Sequence, residues 1–165
     1  MKIAFTTSRN WVSAAIRWVT RSRASHSLIS FDVYGEPMFL HADMGGIQIT
    51  VRDKFLVKNH LVAEFETVRE VPYDLLKMAL SHVGDNYDYV GILGFVWPVM
   101  LGRWLGKKFT NPFASPHGMV CSEFVANIDT DGLILPEFRG LDPEETTPQD
   151  LLDICARGPS FKRLS

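Results

Sequence analysis

The sequence predicts an α+β fold, an antiparallel sheet packed against helices, on three observations. Between residues 25 and 68 apolar and polar residues alternate in short runs separated by turn residues, the pattern of successive strands. From Pro72 onward the apolar spacing changes to that of amphipathic helices. The chain has 165 residues, 46% of them hydrophobic and 22% charged, which is enough to bury one core without covalent staples. A single domain over residues 1–165 is expected.

Residues 2–7 read as a strand in which Ile3 and Phe5 alternate with smaller or polar residues. A helix follows, capped by Ser8 or Asn10, with Trp11, Ala14, Ala15, Trp18 and Val19 at helical spacing. Arg17, Arg21 and Arg23 crowd its far end, where cations suit a helix C-terminus. Residues 25–33 and 36–42 then read as a hairpin around a Tyr34-Gly35 turn. With Val33 opposite Glu36, Ile29 meets Leu40 and Phe31 meets Met38 on one face. The same register puts His26, Leu28 and His41 on the other face; a loop one residue longer would reverse the relation.

Gly45-Gly46 turns the chain into a strand at 47–51, a polar link runs through Asp53 and Lys54, and residues 61–68 form another strand of a meander. Pro72 opens a helix over 73–83, with Leu75, Leu76, Ala79 and Leu80 as its buried stripe and Gly84 as its stop. Residues 87–105 are the most apolar stretch, but glycines, Pro98 and Arg103 interrupt it below the length of a bilayer span. It reads either as a buried helix pair or as an exposed surface over residues 90–108 for lipid or a partner, with Lys107 and Lys108 beside Trp104 suiting the second. Cys121 precedes an apolar helical run of Phe124, Val125 and Ile128; a helix over 148–156 capped by Thr147 and a strand over 161–164 close the chain.

A net charge of −2 gives no basic field for nucleic acid. Two cysteines, Cys121 and Cys155, are too few for a disulfide framework, so a reducing compartment is expected. Residues 1–7 are too short and polar for the apolar centre of a secretory signal, and a cytoplasmic location is expected.

Acyl transfer by cysteine needs a thiolate, an imidazole to pass the proton, a group to orient that imidazole, and amide donors for the oxyanion. The chain offers Cys121 as nucleophile at a helix start, where a thiol loses its proton most easily, with His26 as base and His41 as orienter. The backbone amide of Cys121 is one oxyanion donor. Each residue alone has a blander reading, Cys121 as a small core residue and the histidines as ordinary strand residues. His60, His82 and His117 read blandly, with His117 a secondary partner for Cys121, and Cys155 falls inside an amphipathic helix as core.

Four segments carry a family resemblance: Ser25-His26-Ser27-Leu28-Ile29; Phe39-Leu40-His41-Ala42 with Gly45-Gly46-Ile47-Gln48-Ile49; Asn86-Tyr87-Asp88-Tyr89; and Val120-Cys121-Ser122-Glu123-Phe124-Val125. In this order they resemble the circularly permuted, YiiX-like and LRAT-like branch of the NlpC/P60 superfamily of papain-like cysteine hydrolases. The resemblance implies a papain-like fold and a triad of Cys121, His26 and His41, with Tyr87, Tyr89 and Ser122 lining the substrate or oxyanion site and no metal or cofactor. It implies cleavage of an amide, ester or thioester bond in a peptide, acylated or lipid-like substrate, and suits a bacterial or phage origin. The Ser122-Glu123 pair in place of Ser-Gly argues against a cell-wall peptide. A module of the same fold that binds lipid or peptide without turnover is the second reading, and zinc held by Cys121, His26 and His41 is the third.

Overall fold

A computed structural model describes residues 1–43, 45–85, 121–129, 131–143 and 146–165. Within these, strands β1 (Lys2–Ser8), β2 (His26–Val33), β3 (Glu36–Asp43), β4 (Gly46–Val51), β5 (Asn59–Thr67) and β6 (Phe161–Arg163) form one sheet in the order β4-β3-β2-β1-β5-β6. Every pairing is antiparallel. Helices α1 (Trp11–Thr20), α2 (Arg52–Leu56), α3 (Tyr73–Ser81), α4 (Cys121–Ala126) and α5 (Pro148–Arg157) accompany it. The architecture is α+β, as the alternation and spacing require. Tyr87, Tyr89, His117 and the apolar segment 90–108 lie outside the described residues.

The β2–β3 hairpin has the register its alternation demands: Val33 faces Glu36, Phe31 faces Met38 and Ile29 faces Leu40. Tyr34 and Gly35 both take positive φ, 50° and 87°, as a two-residue primed turn needs. β4 extends the ladder, with Leu40 opposite Ile49 and His41 opposite Gln48. The meander ends there. Instead of pairing with β4, β5 crosses to the far side of β1, where Ile3 meets Phe65. Ile3 and Phe5 are fully buried, and β1 would be an exposed edge without a second neighbour.

One local expectation is corrected, and the facing of one helix is added. The link at Asp53 and Lys54 is the short helix α2, whose buried residue, Phe55, packs edge-on to Phe39 with ring centroids 5.5 Å apart. Two adjacent apolar residues, Phe55 and Leu56, at the end of a five-residue segment leave no readable period. The tryptophans of α1 face outward: Trp11 is 74% exposed and Trp18 61%, while Ser13 is buried. Asn10 caps the helix, its Oδ1 accepting from the Ser13 amide at 2.7 Å. Ser13 Oγ lies 2.6 Å from Ser25 Oγ and accepts from the Ser8 amide at 3.1 Å, so polar bonding ties this side of the helix to the chain at β1 and just before β2.

The sheet has an apolar cluster on each face. On one, Ile3, Phe5, Ile29, Leu40 and Phe65 meet Cys121, Phe124 and Val125 of α4 and Leu151, Leu152 and Cys155 of α5. α5 is fixed by a capping box between Thr147 and Asp150. The smaller cluster holds Ala4, Leu28, Phe39 and Phe55. Beside it Arg52 donates twice to the Glu64 carboxylate, at 2.8 and 3.0 Å, and lies over the Phe39 ring.

Candidate functional site

β2 begins at the site. Cys121, the first described residue of α4, points its thiol at the Ser25 carbonyl, Sγ to O 4.0 Å, and its own carbonyl accepts from Ser27 Oγ at 3.2 Å. His26 is the residue between these two contacts. Alternation sends its ring away from the Ile29 face, and it stacks on Phe55 at 6.0 Å with an interplanar angle of 18°. The His41 ring meets His26 edge to face at 5.7 Å and Phe55 at 4.7 Å. The hairpin thus brings the two histidines together, and α2 roofs them with a phenylalanine.

Hydrogen bonding within this group is incomplete. His41 Nε2 is 3.0 Å from Thr50 Oγ1, whereas its buried Nδ1 has no hydrogen-bond partner among the described residues. Thr6, opposite His26 on β1, also has a buried Oγ1 without a hydrogen-bond partner among the described residues. Among the described residues no hydrogen bond joins Cys121 Sγ to either imidazole, or one imidazole to the other. Asp43, two residues after His41 and on the same side of β3, adds a carboxylate whose field reaches both rings.

Burial dominates the electrostatics. It pushes the Cys121 thiol above the ordinary range, although the amides of Ser27, Ser122 and Cys121 and the Ser27 hydroxyl favour the thiolate. His26 is lowered from 6.5 to about 4, by desolvation first and the neighbouring His41 second, with Asp43 opposing. His41 is lowered by burial, again against Asp43. The readily ionised thiol expected of a helix start is therefore corrected: a cysteine with 2% exposure inside the main apolar cluster pays more in desolvation than nearby dipoles return. At rest the group is a neutral thiol and two neutral imidazoles.

Ser122, expected to line the substrate or oxyanion site, is buried in α4, and its amide is among those favouring the thiolate. His82 bonds Asp85 at 2.8 Å, and Cys155 is core, its thiol pushed far up by burial. Sequence reasoning missed Thr6, Ser27, Thr50, Asp43 and Phe55. Two-residue periodicity could have found Asp43 beyond His41, and the pairing of Thr6 with His26 requires knowing that β1 lies beside β2.

The sheet, its order and the helices on it define a YiiX-like α+β fold. The chain is similar to the crystal structure of the metalloprotein YiiX from Escherichia coli O157:H7, with a TM-score of 0.56 and 18% identity, over 99% of this chain and 94% of that one. No protein-family model matches the sequence, and no curated protein matches it.

Proposed function

We propose that the chain is a circularly permuted, papain-like cysteine hydrolase or acyltransferase of the NlpC/P60 type that works through an acyl-enzyme on Cys121. The observation that supports this best is the anchoring of thiol and imidazole by one strand start: Ser25 and Ser27 touch Cys121, and the residue between them is His26. In the reaction Cys121 Sγ attacks the carbonyl of an amide, ester or thioester, and its proton passes to His26. The protonated imidazole returns that proton to the leaving group, and water or an acceptor alcohol or amine releases the acyl chain. His26 stacks on Phe55, on the other face of the sheet from the thiol, so this step requires the start of β2 to rearrange as well as the ring to turn. His41 orients it, and the Cys121 and Ser122 amides serve the oxyanion. Tyr87 and Tyr89 belong to the same proposal as substrate-lining residues, and the substrate class is an acylated, lipid-like or peptide amide compound.

A second reading, a non-catalytic module that holds a lipid or peptide, draws on the neutral resting state and the missing thiol–imidazole hydrogen bond. Zinc held by Cys121, His26 and His41 fits poorly: the rings pack on Phe55, the thiol lies in the opposite apolar cluster, and among the described residues no three His, Cys, Asp or Glu side chains are placed to hold a metal ion.

Intact mass spectrometry after incubation with activated acyl esters and thioesters tests the proposal. The wild type should gain one acyl mass on Cys121 and turn substrate over. Cys121→Ala should do neither, at a stability cost of about 1 kcal/mol because this cysteine is core. His41→Ala should lose less turnover than His26→Ala. A wild type that binds these compounds without acylation would favour the binding module.

A further inference from the structure

The outward face of α1 is apolar and its surroundings are cationic. Trp11 and Trp18, seven residues apart at 100° per residue, share one side of the helix, and the exposed Ala14 lies between them. Ser13 is on the opposite side, held by Ser25. An amphipathic helix in a globular protein normally buries its large apolar side chains; here a serine is buried and two tryptophans are exposed. The first 31 residues contain Lys2, Arg9, Arg17, Arg21 and Arg23 and no Asp or Glu, although the whole chain carries a net charge of −2. Arg9, Arg21 and Arg23 are exposed at the two ends of α1.

We infer that α1 is an interfacial helix that docks on an anionic phospholipid surface, Trp11 and Trp18 entering the headgroup boundary and the arginines meeting lipid phosphates. Indole rings favour that boundary, and an Arg-flanked apolar strip is the composition of a helix lying in the interface plane. Charge selects the partner: a local run of cations without carboxylates is complementary to an anionic surface, and the tryptophan strip adds an apolar contact that a phosphate backbone does not call for. The inference stands apart from catalysis. Its geometric consequence is that the Ser13–Ser25 contact holds a docked α1 one residue away from His26.

Vesicle flotation tests it. Wild-type protein should float with vesicles of equal parts phosphatidylglycerol and phosphatidylcholine and stay behind with phosphatidylcholine alone. Trp11→Ser/Trp18→Ser should abolish flotation while remaining folded by circular dichroism, because both side chains are largely exposed. Arg9→Gln/Arg21→Gln should bind roughly 25-fold more weakly, about fivefold per charge removed, and provides the same test if the tryptophan pair fails to fold. Trp104→Ser should float normally. The inference is overturned if the wild type does not float, if the α1 variants bind unchanged, or if Trp104→Ser alone abolishes binding. It is equally overturned if duplex DNA displaces the protein from the vesicles, or if the tryptophan pair proves to hold a dimer together.

Discussion

Acid should weaken this fold through His26 in particular. Its imidazole titrates near 6.5 when the chain is unfolded and near 4 in the folded state. The unfolded state therefore binds the extra proton first as pH falls, so the contribution is fully present above pH 6.5 and is lost as pH drops through 4. A gap of that size is worth about 3 kcal/mol, at about 1.4 kcal/mol per pH unit. Between pH 7 and 4.5 the wild type should lose about 2 kcal/mol from this group, an upper limit because the ring keeps some accessible surface. Urea unfolding at the two pH values measures the loss. His26→Phe, which keeps an aromatic ring beside Phe55 but has nothing to protonate, should lose correspondingly less. The reasoning fails if wild type and variant lose equal stability, or if the His26 ring protons titrate near 6.5 by NMR.

Other outcomes follow from the same packing. Alkylation of Cys121 should keep accelerating about tenfold per pH unit beyond pH 8.5, where an ordinary thiol would be half ionised, and Cys155 should react only in unfolded protein; peptide mapping of iodoacetamide adducts reads both. Phe55→Ala removes the ring that covers the histidines, so NMR should find the His26 value raised toward 6.5, with a stability loss of about 3 kcal/mol. Arg52→Ala leaves the Glu64 carboxylate, 5% exposed, without its bidentate partner, and chemical unfolding should show a loss of about 3 kcal/mol.

What could be read in the sequence was what is local. The β2–β3 register followed from alternation and one two-residue turn, and with it the meeting of His26 and His41. The capping of α1 by Asn10 and of α5 by Thr147 followed from side chains that bond their own helix starts. What escaped was non-local. The placement of β5 beside β1 depends on a choice between two free strand edges that no short pattern records. α2 buries only Phe55 fully, yet that residue sets the histidines' environment. For α1 the spacing shows that a stripe exists and not which way it faces; the inward bonds of Ser13, whose partners lie on β1 and next to β2, are non-local. The ionisation of Cys121 depends on depth, which sequence does not encode.

β1 precedes the other five strands in the chain, yet it is the central seam of the sheet. Its ladder to β2 spans about 25 residues of chain and its ladder to β5 about 60. The β2–β3–β4 hairpins need only short loops and can form early, while β1 gains its second neighbour only after β5 has emerged. Until then the strand that carries Ile3 and Phe5 has one open edge, and the half of the sheet bearing the histidines is not joined to the half bearing β5 and β6. Deleting residues 1–8 would therefore separate two half-sheets rather than trim an end, and pairing of β1 with a second unfinished chain is the misassembly this topology most favours.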